Sequence, residues 1–139
     1  MPVYRLSARA YPDHAYTISA SERDAAQTIY GYVYEGVAFF LFAQAVSGSM
    51  PIYRLVNPSG HHLMTWSAAE KDGAQQIYGF NYEGVVAYAP DQGAAGAVPL
   101  YRLNRAGDYF YTMSAAERDA AVALYGYAYE GVAGFAFAQ

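Results

Sequence analysis

The sequence predicts a β-rich single domain, residues 1–139, with one short helix per repeat, closed into a pseudo-three-fold body. Three observations carry that expectation. Pro2-Val3-Tyr4-Arg5-Leu6 recurs at Pro51 and Pro99, and the stretch from Tyr30 to Val37 recurs, with few changes, at Tyr78 and Tyr125. The chain therefore divides into units 2–50, 51–98 and 99–139. Each unit sets short alternating apolar runs around one capped helical segment. Neither end is more polar than the middle, whereas an open stack of repeats needs polar capping units. A unit of about 45 residues folds poorly alone, so the units are expected to cover one another. A β-trefoil-like body is the first expectation, and a compact three-bladed propeller is the alternative.

Val3 to Leu6 reads as a strand, with Tyr4 and Leu6 on one face and Arg5 on the other. A turn-rich loop follows, clearest at Asn57-Pro58-Ser59-Gly60. The next strand is His14 to Ile18, matched by His62 to Trp66 and Tyr109 to Met113. Its period of two puts His14, Tyr16 and Ile18 on one face, with Met64 and Trp66, then Tyr111 and Met113, in the same stripe. A core role and a ligand-facing role both suit that stripe. Ser19-Ala20-Ser21-Glu22 opens the helix, as do Ser67 to Glu70 and Ser114 to Glu117. Each fits a capping box, in which the glutamate reaches back to the serine N–H. Ala25 with Ile29, and Ala26 with Tyr30, are expected to form the buried helical stripe. Gly31, Gly79 and Gly126 sit where the helix should stop. The closing extended segment is interrupted at Glu35-Gly36 by a bulge or tight bend. Val37 to Phe42 then form the last strand, with Phe40 and Phe42 expected to face inward. Pro90 replaces Phe42 in the second unit, so that strand should end near Ala89.

Composition excludes several functions. Eight Lys plus Arg against 12 Asp plus Glu leave a net charge of -4, which disfavours nucleic acid as a partner. There is no cysteine, hence no disulfide or thiolate chemistry. The apolar run Gly36 to Ala43 is too short for membrane insertion, and no signal peptide is visible at the amino terminus. Tyrosine is in excess, at 16 of 139 residues, which suits a core with partnered hydroxyls or an aromatic binding surface. Arg5, Arg54 and Arg102 repeat, as do Glu35, Glu83 and Glu130, all within apolar strands. Unpaired charges there would be costly, so structural Arg–Glu pairs within or between units are expected. The acids that open each helix are expected to serve the helix dipole.

No catalytic motif is present: no HExxH, no GxSxG, no P-loop and no dinucleotide fingerprint. His61 and His62 are adjacent on an extended segment and point to opposite faces, so no metal site and no cofactor are expected. The loop from Ala8 to His14 and its counterparts are the most polar and variable segments. Asp13, His14, Asn57, His61, His62, Asp108 and Tyr109 supply hydrogen-bonding groups there. Tyr16, Trp66 and Tyr111 on the adjoining strand supply aromatic faces. Hydrogen bonds beside an aromatic face suit a sugar, so these ten residues are the candidate ligand-binding set. Local turn bonds by Asp13 and Asp108 are the competing role. Three equivalent sites would give avidity for a polymeric ligand.

Several segments resemble a known repeat family. They are Tyr53-Arg54-Leu55-Val56-Asn57-Pro58, His14-Ala15-Tyr16-Thr17, Ser114-Ala115-Ala116-Glu117-Arg118-Asp119 and Tyr129-Glu130-Gly131-Val132-Ala133. The family has no assigned function, and its repeats occur attached to bacterial and fungal secreted hydrolases and lipoproteins. The resemblance spans nearly the whole chain. Tyr109 departs from it at the histidine, and Ser7-Ala8 and Asn104-Arg105 depart at a Tyr-Asn pair. It implies an extracellular or cell-surface location and a glycan or cell-wall polysaccharide as partner. The expected function is a non-catalytic, lectin-like carbohydrate-binding module with three pseudo-equivalent sites. The alternative is a structural or protein-interaction module appended to secreted or cell-surface enzymes.

Overall fold

The computed structural model describes residues 1–139 and is β-rich, with three short helices. In the first unit β1 (Pro2–Ala8) lies between β2 (His14–Thr17) and β3 (Tyr32–Phe40), antiparallel to both. Helix α1 (Ala20–Thr28) carries the chain from β2 to β3. The second unit repeats this plan as β4 (Met50–Val56), β5 (His62–Thr65), α2 (Ala68–Tyr78) and β6 (Asn81–Ala89). The third repeats it as β7 (Ala97–Arg105), β8 (Asp108–Thr112), α3 (Ala115–Tyr125) and β9 (Ala128–Phe137). The outer units join into one six-stranded, strongly curled sheet where Phe40 pairs with Phe137. The middle unit is a separate three-stranded sheet, tied to the first by a bridge between Phe42 and Tyr88. Strand β6 ends at Ala89, just before Pro90.

The Glu-Gly signature is a bulge inside one continuous strand, not a break between two strands. Arg5 pairs with Gly36 and Leu6 with Tyr34, leaving Glu35 as an extra residue. Glu83 and Glu130 are extra in the same way. Gly36 sits at φ 107°, a conformation that only glycine adopts readily. The bulge turns Glu35 toward Arg5, whose Nε donates to it at 2.9 Å. A second register shift falls between Val3 and Tyr4. Together the shifts correct two expected faces. Val3 and Leu6 are buried rather than Tyr4 and Leu6, and Phe39 and Leu41 point inward rather than Phe40 and Phe42.

A central apolar cluster draws on all three units, including Val3 and Phe39, Ile52 and Met64, Leu100 and Tyr111. Smaller clusters lie beneath two helices: Leu55, Leu63 and Ala74 under α2, and Leu103, Phe110, Ala121 and Tyr127 under α3. Helix α1 has no such cluster and no buried residue. The expected helical stripe is corrected too. Ile29, Tyr30 and their counterparts Ile77, Tyr78, Leu124 and Tyr125 are 60–72% exposed. The small mid-helix alanines Ala74 and Ala121 make the close approach instead, and the last turn carries its large side chains outward. A cation clamps each helix to its sheet. Arg23 lies over Tyr4 and Tyr34 at 4.5 and 5.5 Å, and Lys71 and Arg118 sit between the corresponding tyrosines. That accounts for much of the tyrosine excess.

The contacts between units run round a ring. Each helix offers its first-turn glutamate to the arginine of the next unit. Glu22 takes Arg54 through two bonds of 2.8 Å, and Glu70 takes Arg102 at 2.7 and 2.8 Å. Glu117 takes Arg5 at 3.2 Å, joining the last unit to the first. The capping box is therefore only half used. Ser19 accepts from the Glu22 N–H, but the Ser19 N–H goes to Thr17 and the Glu22 carboxylate leaves for Arg54. Nearer the centre, the Tyr111 hydroxyl bonds both the N–H and the C=O of Met64, and the Tyr16 hydroxyl does the same to Tyr111.

Candidate functional site

The missing cluster beneath α1 has a direct sequence cause. Ala15 occupies the position of Leu63 in the second unit and Phe110 in the third. Those larger residues fill the space below α2 and α3. With only a methyl group at Ala15, a cleft of about 590 Å³ opens between the first and second units. That volume suits a small-molecule ligand. Leu6, Ala15, Ala25, Ala26 and Val56 give it an apolar floor. Tyr11, Tyr30 and Tyr32 line it with aromatic rings. Glu22, Arg54, His62 and Glu83 supply its charged and polar groups.

His62 is held by a buried acid from the neighbouring unit. Asp13 is 2% exposed. It accepts from the His62 N–H at 2.9 Å, from the His62 ring at Nδ1 at 2.8 Å and from the Tyr32 hydroxyl at 2.6 Å. The His62 Nε2 makes no hydrogen bond within the protein. The same device recurs at the junction of the third and first units, where Asp108 takes His14 Nδ1 at 2.8 Å and the Tyr127 hydroxyl. There, however, His14 Nε2 also meets Glu35 at 3.4 Å, so both ring nitrogens are engaged. Burial opposes charge on His14, but its hydrogen bonds to Asp108 and Glu35 prevail and raise its pKa to about 9. The His14 hydrogen bond in turn lowers Glu35 to about 2, against its own burial. The bond from Arg54 likewise lowers Glu22 to about 2.

At the remaining junction all three members of the device differ. His61 stands in the place of the acid, Tyr109 in that of the histidine, and Phe80 in that of the tyrosine. Tyr109 and Phe80 pack against the cluster under α2, and His61 Nε2 is buried without a partner. Only the junction of the first and second units keeps both the polar device and an open cleft beside it.

The profile of DUF5648, a domain of unknown function, matches residues 1–90 and again 59–137. The chain belongs to the DUF5648 family. Two overlapping matches are what a repeat shorter than the profile produces, and together they cover nearly the whole chain. No curated protein and no solved structure matches it.

In this DUF5648 chain the candidate ligand residues scatter. His62 lines the cleft, and so does Tyr16, whose hydroxyl is already committed to the Tyr111 backbone. Asp13, Asp108 and Tyr111 are at most 2% exposed, which puts them out of reach of a dissolved ligand. Asn57 Oδ1 accepts from the Ser59 and His61 N–H groups and shapes its own turn. His61 packs edge-on to Tyr11 at 5.7 Å, and His14 tilts against Phe110 at 5.1 Å. Tyr109 lies under Arg102 at 5.5 Å. Trp66 lies against Gly134, where a Cβ would collide with its ring, and lines a smaller pocket of about 340 Å³ with Arg102 and Glu130. The six strand charges stand as Arg5–Glu35, Arg54–Glu83 and Arg102–Glu130 pairs at 2.9–3.0 Å. Sequence reasoning missed Tyr11, Tyr30, Ala15 and Glu22. The available signal was the Ala–Leu–Phe disparity at one repeat position.

Proposed function

We propose that this domain is a non-catalytic carbohydrate-binding module whose main site is the cleft between the first and second units. The observation that carries the reading is that cleft: an apolar floor, four tyrosines and one histidine oriented by a buried acid. A sugar ring has an apolar face for a tyrosine and hydroxyls for the histidine and carboxylates. The equivalent spaces at the other junctions are occupied by side chains, so the reading narrows from three sites to one. The proposed partner is a glycan or cell-wall polysaccharide, and the proposed setting is extracellular, on or beside secreted enzymes, as the repeat resemblance implies. The ring of contacts between units supports a closed three-fold arrangement, for which a compact three-bladed propeller is proposed in preference to a trefoil, since each unit builds its own set of three antiparallel strands even though the outer two sets join edge to edge.

Calorimetric titration against a panel of oligosaccharides tests the function. One bound sugar per chain, with millimolar-to-micromolar affinity, supports it. No binding at any concentration reached rejects it. A second reading, a protein-interaction module, draws on the three exposed Ile-Tyr or Leu-Tyr pairs at the helix ends. Saccharide-independent association with a secreted hydrolase would favour that reading.

A further inference from the structure

Resting on the saccharide reading, we infer that the cleft selects an amino sugar carrying a free amine over its neutral or N-acetylated counterpart. Three features of the cleft point there. First, it holds a carboxylate oxygen with no donor of its own. Asp13 can only accept from His62 Nδ1, so that nitrogen carries a proton and the ring is fixed with Nε2 free of any partner in the protein. Glu83 uses Oε1 for Arg54 and leaves Oε2 without a partner in the protein. A ligand that fits must bring donors, and an amine brings more of them than a hydroxyl or an acetamide.

Second, the charge balance is negative. Glu22 and Glu83 set two carboxylates against the single guanidinium of Arg54, and Asp13 adds another behind His62. Arg54 is occupied by both glutamates and by the Tyr16 carbonyl at 3.2 Å, which leaves an anionic ligand with little to recruit. Third, Tyr11, Tyr30 and Tyr32 line the same cleft as this acidic centre. An ammonium group gains from aromatic faces, and Tyr30 is free to move onto a ligand because it is 71% exposed. A neutral sugar uses the rings and the hydrogen bonds but none of the charge.

The test compares β-linked trisaccharides of glucosamine, N-acetylglucosamine and glucose by calorimetry at about pH 6.5, where a sugar amine carries charge. The free-amine ligand is expected to bind at least about tenfold more tightly than the others. That preference is expected to shrink in high salt. Equal or weaker binding of the free-amine ligand, with the neutral ligands still bound, overturns the inference and leaves the saccharide reading standing. No binding of any of the three overturns both. Glu83→Gln, checked for folding by circular dichroism, supplies a second readout. It should shrink the ratio of amine to glucose affinity toward one. An unchanged amine preference in a folded Glu83→Gln protein counts against the inference.

Discussion

Replacing Ala15 by leucine should make the protein more stable and close its cleft at once. The substitution copies the second unit, where Leu63 at this position is 3% exposed beneath α2. Leucine adds three carbon atoms over alanine, each worth about 0.8 kcal/mol when fully buried. Full burial would give about 2.4 kcal/mol, but the cleft stays open on one side, so about 1–2 kcal/mol is the working figure. Overpacking is a small risk, because α1 buries no residue and has room to settle. For a chain of this length each kcal/mol moves the melting temperature by about 3–4 °C, so a rise of about 3–8 °C is expected. Thermal unfolding followed by circular dichroism reads the first effect. Titration with the best-bound trisaccharide reads the second, with affinity falling at least about tenfold. A lower melting temperature would refute the explanation of the missing cluster. A higher one with unchanged binding would move the site elsewhere.

Arg54→Met should lower stability by about 2 kcal/mol, because four hydrogen bonds are lost while the half-exposed Glu22 is rehydrated. A melting temperature within about 2 °C of the parent would show that the ring of ion pairs is ornamental. The His14 pKa of about 9 lies above its unfolded value of about 6.5. Its charged form therefore stabilises the fold fully below about pH 6.5, and that stabilisation, about 3 kcal/mol, fades as pH rises through about 9. Melting temperature should fall across this window in the parent and stay flatter in His14→Gln; parallel profiles contradict the assignment. Restoring the polar device at the second junction, with His61→Asp, Tyr109→His and Phe80→Tyr, should be non-additive. Singly, each change buries an unmatched group and destabilises, whereas the triple variant should recover at least about 1 kcal/mol relative to the sum. Additive losses in denaturant unfolding would deny that the three positions act together.

Much of this architecture is legible in the sequence. The strand that stops before Pro90, the serine caps and the Glu-Gly bulge all rest on local rules, and local rules survive the fold. The errors in strand facing have one source. Two register shifts in each β1-type pairing break the period of two, so Val3 and Phe39 turn inward where alternation put Tyr4 and Phe40. No residue pattern announces how many positions a bulge skips. The site was harder still. Asp13 and His62 belong to different units, 49 positions apart, and only the packing of the first unit on the second sets them 2.8 Å from each other. The polar character of the Ala8 to His14 loop was visible, but whether it faces a ligand or a neighbouring unit is decided by packing. The cleft itself is an absence of side chain, detectable only by comparing Ala15 with its siblings.

The pairing of the outer units also makes the two ends of this chain near neighbours. Pro2 pairs with Phe40, and Phe40 pairs with Phe137, so the beginning and end of the chain lie about two strand spacings, about 10 Å, apart. A few glycines could join them, and the exposed linker at residues 43–48 could be opened in exchange. Such a circular permutant would start on the second unit and finish on the first, yet retain every ion pair between neighbours. In this molecule the order of the units matters more than the point at which the chain is opened.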